Sequence, residues 1–253
     1  MSDNKTSVTG IAIASIIILL WLLTLVIYLT ADISTMPLSL VVIGVLSRSF
    51  LQTGLFITTH EAIHQSIAPQ RQVNNCIGRI TSCLYAFLSY RVLSENHQKH
   101  HRYPATERDP DFSAEKSHNW LLWYFSFMQE YQKEGQFWLL FTGMTIVFWI
   151  FIELQISLLN IILFWLIPIF ISSMQLFFFG IFLPHRKSST GYSDWHRARS
   201  SNYSVFWSFI TCYHFGYHWE HHQYPNIPWY KLPSKRLKNK NISIKNQFCD
   251  LSS

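Results

Sequence analysis

Three short runs, HEAIH at 60–64, HQKHH at 97–101 and HWEHH at 218–222, hold eight of the chain's twelve histidines: His60, His64, His97, His100, His101, His218, His221 and His222. Residues three or four apart share a face of a helix, so this spacing predicts that each run aims two or three imidazoles at one point. Neutral imidazoles bind iron, zinc, copper and nickel alike, so donor type does not choose the metal. Donor number says more. Eight or nine histidines exceed the four ligands of a closed zinc site, which argues for two ions with positions left open for a small molecule. An all-imidazole shell brings no negative charge, so nearby carboxylates or bridging oxide must offset the metal, and carboxylates would receive the free ring N–H groups. Glu61, Glu95, Asp109, Asp111 and Glu220 stand inside or beside the runs and are the candidates.

The elements that must position these side chains lie in a membrane. The chain is 49% hydrophobic, 17% aromatic and only 13% charged, too apolar for an ordinary soluble domain. Residues 10–30 carry no charge and are long enough to cross a hydrocarbon core; the weakly basic start and the long apolar run read as a first span rather than a cleaved signal. Further spans are expected at about 37–58, 137–153 and 158–183, with Pro168 kinking the last. The whole is one all-α integral membrane unit: four transmembrane helices, a helical cap from 59–136 and 184–234, and a basic tail at 235–253. Eight lysines and arginines fall between His60 and Glu134 and ten from Pro184 onward, whereas the two short opposite loops have none. By the positive-inside rule, cap, histidines and both termini face the cytoplasm. Contact with anionic lipid accounts for the net charge of +6 without nucleic acid. Cys76, Cys83, Cys212 and Cys249 show no paired spacing, and no disulfide is expected. The stretches 76–93 and 119–128 read as interfacial helices roofing the site, so that an apolar substrate could arrive sideways from the bilayer. Arg48 and Gln52 are expected to hydrogen-bond across the bundle, to Gln175 or Asn160.

ITTHEAIHQSIAP, HQKHHRYPATERDPDF, LPHR, HRARSS and TCYHFGYHWEHHQYPNIPWYKLPS together resemble the β-carotene ketolase family, within the fatty-acid-desaturase-like membrane di-iron proteins. The likeness runs from about Phe56 to Ser234. HxxHH alone would say only membrane di-iron oxygenase or desaturase; HRARSS with HFGYHxEHH and PWYKLP is more specific. The resemblance implies two ferrous ions, dioxygen, and oxidation of ring carbon 4 of β-carotene or a related β-ring carotenoid. Two hydroxylations at that carbon would give a geminal diol, which loses water to leave a ketone. The eight clustered histidines match the family's ligand runs. A ninth ligand belongs at the end of the fourth span, where His185 of LPHR stands; His196 and His214 are the competitors, or support the ligands from behind. His118 lies outside every motif and is expected at the surface.

Glu61 replaces the family's common aspartate, and Trp219 stands where a histidine is often found. A chain without a strand-then-GxGxxG pattern carries no flavin or nicotinamide domain, so electrons must come from an external donor, which the resemblance implies to be of ferredoxin type. Abstracting hydrogen from an unactivated or allylic carbon is beyond acid and base side chains, which itself calls for a redox metal. Phe112, Trp120, Trp123, Phe125, Phe127, Phe179, Tyr213, Phe215 and Trp229 are candidates to line an apolar tunnel. A fatty-acyl desaturase or hydroxylase, or a carotenoid 3-hydroxylase, would use the same scaffold. A membrane metal transporter would instead need ionisable groups strung along several spans.

Overall fold

The computed structural model describes residues 2–113, 119–133, 135–186, 191–192 and 194–239; His118, Lys240 and Cys249 lie outside them. Among the described residues there is no strand. The helices among them that build and position the site are α1 Ser2–Thr30, α2 Leu38–Ile63, α3 Arg71–Ala86, α4 Tyr90–Arg102, α5 Trp120–Glu130, α6 Gln136–Glu153, α7 Leu158–His185, α8 Val205–Cys212 and α9 His218–Gln223. Among the described residues, four are long and apolar enough to cross a bilayer: α1 from Val8, α2, α6 and α7. Helix α2 runs unbroken to Ile63, past residue 58, so His60 is still on the helix. Helix α7 ends at His185. Cys76, Cys83 and Cys212 are free thiols.

Helix α7 carries two prolines, and each follows a wide turn of π type, Ile162–Leu166 before Pro168 and Phe178–Phe182 before Pro184. A proline has no N–H for the carbonyl four residues back, which Pro168 therefore takes from Phe164. Arg48 supplies the missing donor: its Nε–H gives to the Phe164 carbonyl at 3.0 Å, while Nη1 gives to the Trp21 carbonyl at 2.6 Å. One fully buried guanidinium thus ties α1, α2 and α7 together. In lipid the Phe164 carbonyl, left alone, would cost about 1–3 kcal/mol.

The expected partners of Arg48 and Gln52 are corrected here, although both do bond across the bundle. Gln52 accepts from the Trp21 indole N–H at 2.6 Å and donates to the Tyr85 carbonyl at 2.5 Å, pinning α1 and the end of α3 to α2. Asn160 instead donates to the carbonyls of Tyr28 and Ala31, each at 2.8 Å, satisfying the end of α1. Gln175 accepts from Thr53 at 2.6 Å and donates to the Thr211 carbonyl, fastening α8 to α2 and α7. These amides meet the carbonyls left bare where helices end, which water cannot reach inside a membrane.

The cap is built on the α2 end. Helix α3 packs along α2, and the left-handed Phe87 turns the chain into α4. Gln136 at the start of α6 brackets that turn, accepting from the Ser89 N–H at 2.7 Å and donating to the Phe87 carbonyl at 3.1 Å. Helix α5 lays Trp123, fully buried, against Phe177 and Phe182 of α7 and leaves Leu121, Leu122 and Phe125 outward.

Candidate metal centre

Four helix ends converge. Helix α2 brings His60 and, at its cap, His64; α4 brings His97, His100 and His101; α9 brings His218, His221 and His222; α7 ends on His185. Their imidazoles form two groups, each with its nitrogens within 4.8 Å of one another: His60, His64, His97, His101 and His221 in one; His100, His185, His218 and His222 in the other. The Nε2 atoms face each other, 2.7 Å for His64 with His97, 2.9 Å for His101 with His221, and 3.1 Å for His100 with His222 and for His222 with His218. Two nitrogens bound at right angles to one ion at the usual length would lie about 3 Å apart. The donor set therefore fits two metal ions.

The sharing differs from the expectation that each run aims at one point. The pairs four apart stay together: His60 with His64, His97 with His101, His218 with His222. The histidine three after the first of a run goes to the other group: His100 leaves His97, and His221 leaves His218. At about 100° per residue, a four-residue step turns a side chain by about 40° and a three-residue step by about 60° the other way. Helices α4 and α9 each span both groups for that reason.

His185 Nδ1 meets the Arg197 carbonyl at 2.9 Å, and its buried Nε2 has no hydrogen-bond partner among the described residues. A buried nitrogen without a partner, aimed among three other imidazoles, is what a metal ligand looks like before the ion is drawn. Arg197 sits at a left-handed φ of +46° to offer that carbonyl, a role for the HRARSS segment that spacing alone does not reveal. His196 and His214 join neither group. His196 bonds the Gln223 side chain at 2.8 Å with its ring 6.1 Å from that of His222. His214 is not a helical turn ahead of His218 on a shared face: it lies in a tight turn at φ +61°, packed on Tyr217 and Trp229.

The carboxylates divide. Both Asp109 oxygens lie 3.0 Å from His100 Nδ1, and Asp109 also accepts the Ala105 and Asp111 N–H groups. Asp111 is 3.6 Å from the same nitrogen and accepts the Tyr131 hydroxyl at 2.7 Å. Glu61 is 3.6 Å from His60 Nδ1 and holds Ser66 and the Trp229 N–H. Glu220 touches no imidazole; it anchors Arg236, at 2.8 Å, and Ser200. Glu95 pairs with Arg91 at the surface, away from the site. Trp219 gives its indole N–H to Asp194 at 2.5 Å, outside the cage. Tyr131 is the contributor that the sequence hides, a single tyrosine in a polar stretch.

Burial holds the cap imidazoles neutral: His97, His101, His218, His221 and His222 lie well below the ordinary histidine range, and His64 falls to about 3. Burial would depress His100 too, but the Asp109 carboxylate against its Nδ1 overrides it and lifts the ring to about 9. Burial raises Asp111 to about 7, and the charged His100 draws Asp109 down against its own burial. At pH 8 His100 is charged while Asp111 is mostly ionised. Metal needs the His100 Nε2 lone pair, so zinc uptake at pH 8 should release about one proton from it. The release should fade as the pH rises through about 9, the raised pKa of His100, and in Asp109→Asn should drop towards zero. Calorimetric zinc titration of the metal-free protein in buffers of different ionisation heat measures it; equal release in Asp109→Asn would refute the origin given.

Two joined chambers lead to the imidazoles. The inner one, about 500 Å³, is walled by His60, His97, His100 and His218 together with Asp111, Phe215 and Ile181. The outer one, about 940 Å³, lies between α3, α5, α6 and α7. Phe56, Leu93, Phe127, Tyr131 and Leu176 border both and form the throat. Phe170, 58% exposed on α7, lines the outer chamber, which thereby reaches the apolar outer surface. Gly180 keeps the inner wall in place: a Cβ there would run into the Phe215 ring, which rests on His60 and His218. Of the aromatics expected along a tunnel, only Phe127 and Phe215 line these chambers. Trp123 and Phe112 pack on each other, and Tyr213 and Trp229 pack together beneath the cap.

The fatty acid desaturase family model matches residues 35–143 and 126–243. The chain is 35% identical over 250 residues to a β-carotene ketolase of Paracoccus sp. (strain PC1), covering 93% of this chain and 98% of that one. It is 36% identical to the β-carotene ketolase of another Paracoccus strain, over 79% of this chain and 80% of the relative. With the zeaxanthin 4-ketolase of Chlamydomonas reinhardtii it shares 39% over 75% of its length, and it spans only 43% of that longer protein. No solved structure matches.

Proposed function

The chain belongs to the β-carotene ketolases, within the fatty acid desaturase family, and we propose that it converts ring carbon 4 of β-carotene or a related β-ring carotenoid to a ketone. The observation that carries this reading is the apolar channel ending on a cage of nine imidazoles. On this reading the five-histidine and four-histidine groups each hold one iron ion. Iron would supply the activation of dioxygen that side chains cannot. The protein's own part is placement and dryness. The outer chamber takes the polyene from the bilayer, and the throat of Phe56, Leu93, Phe127, Tyr131 and Leu176 lets one end ring pass. Phe215 and Leu176 keep water from the ring carbon, and Asp109 fixes the His100 tautomer with Nε2 towards the ion. Two hydroxylations at one carbon and loss of water complete the ketone. The histidine cap and both termini are assigned to the cytoplasmic side by the excess of lysine and arginine there.

An acyl desaturase or hydroxylase would share cage and topology, and a 3-hydroxylase would differ only in which ring carbon is presented. A metal transporter is disfavoured: Arg48, Gln52, Asn160 and Gln175 are committed to bonds between helices rather than to an ion path. The deciding experiment is expression in a bacterium that accumulates β-carotene, with chromatography and mass spectrometry of the pigments. Mono- and diketones establish the reading. Hydroxylated products alone would move it to a hydroxylase, and unchanged β-carotene in cells with iron-loaded protein and a competent donor would end it.

A further inference from the structure

The two imidazole groups differ in exposure. All four of the smaller group are buried, whereas His64, His97 and His101 of the larger are only partly so. Those three form the floor of an open cleft of about 900 Å³ on the cap, whose rim carries Arg102 and Trp195. Substrate arrives through the apolar channel on another side, so this cleft is a separate approach to the same cage.

Trp195 is the odd residue of that rim. It is 68% exposed, a large indole in water, where solvent gives it nothing to bury against. Its ring lies 3.9 Å, centre to centre, from that of the buried His196, which is in turn 6.1 Å from His222 of the four-histidine group. A run of rings thus leads from the surface to the cage, and it gives His196 a place that neither metal group does. Basic side chains stand on the rim and beside it. Arg102 and Lys99 are exposed on the last turn of α4, and Arg102 has no acid partner among the described residues. Of the nearby acids of the second cap segment, Glu220 is paired with Arg236, while Asp194 is held by the neutral Trp219 indole and keeps its charge. An exposed aromatic anchor beside an exposed, acid-free arginine is the makeup of a small, transient interface for an acidic protein.

On the functional reading above, from which the need for electrons comes, we infer that the cleft over His64, His97 and His101, anchored by Trp195 and Arg102, is the docking surface for an acidic one-electron carrier protein. The electron demand is definite. Turning a ring CH2 into C=O consumes two dioxygen molecules, four electrons and four protons and yields three water molecules, so four carriers must dock in turn per ring. A weak, salt-sensitive surface suits such repeated exchange.

The test uses the metal-loaded full chain in lipid nanodiscs with β-carotene, driven either by a reduced plant-type [2Fe–2S] ferredoxin or by reduced methyl viologen, which needs no docking. Trp195→Ala and Arg102→Glu are each expected to raise the half-saturating ferredoxin concentration about tenfold or more while leaving viologen-driven turnover within about twofold. Ferredoxin binding to the nanodiscs, measured with metal-free protein as well, should weaken in both variants and with added salt. Trp195→Phe should restore most of it. An unchanged ferredoxin titration in both variants overturns the inference. So does an equal loss with viologen, which would place these residues in the cage or in stability, and so does a wild-type protein that viologen drives and ferredoxin does not. Absence of ketone with viologen in the wild type would overturn the ketolase reading instead, and the binding titration would still decide the surface.

Discussion

His100→Ala is expected to abolish ketone formation, by about three orders of magnitude or more, while the protein still inserts in the membrane. Three things depend on this one ring. Its Nε2 faces that of His222 at 3.1 Å within the four-histidine group; its Nδ1 is held by both Asp109 oxygens at 3.0 Å; and it sits between that group and the second carboxylate, Asp111. Alanine leaves three imidazoles for one ion and strands Asp109 without its partner at 4% exposure. Metal analysis of the purified variant should show bound iron falling from about two per chain towards one, because the five-histidine group does not use His100. His214→Phe is the matched control: it changes a histidine that packs on Phe209, Tyr217 and Trp229, and both metal and activity should stay within a few-fold. Full iron and turnover in His100→Ala would remove this residue from the cage, and loss of metal in His214→Phe would show that the cage is drawn wrongly.

Leu176→Trp should lower kcat/KM for β-carotene about a hundredfold with iron content unchanged. Leu176 is 6% exposed on α7 and borders both chambers, opposite Leu93 of α4. An indole there fills the throat, and overpacking costs about 1–3 kcal/mol, within what a helical bundle can absorb. Leu176→Met, nearly equal in volume, should stay close to wild type. The pair separates obstruction from general damage. If the tryptophan variant turns over normally, the substrate reaches the inner chamber by another route; if it loses iron, the wall and the cage are one packing unit.

Much of this was legible in the residues. An uncharged run as long as 10–30 has one stable home, since a helix of that length satisfies its own backbone and the bilayer takes its side chains. Histidines four apart must share a helix face wherever the helix lies, so the pairs His60 with His64, His97 with His101 and His218 with His222 follow from local geometry. The basic excess on the two cap segments follows by counting. Pro168 marked a disturbed turn, but not that Arg48, from another span, would bond the carbonyl that it leaves bare.

What the sequence by itself determined, then, is everything governed by local rules: the spans, the pairing of histidines along each helix, and the class of chemistry that such a donor set can serve. Tertiary structure alone decided how the nine imidazoles divide into two groups. It also decided that His185 rather than His196 or His214 enters the cage, that Glu220 faces Arg236 instead of a ligand, and that Leu176 and Phe127 rather than Trp123 or Trp229 bound the channel. The physical reason is range. A helix turn fixes relations over three or four residues. Which faces of α2, α4, α7 and α9 meet, and at what rotation, depends on buried bonds between distant residues, such as Arg48 to Phe164 and Gln175 to Thr53.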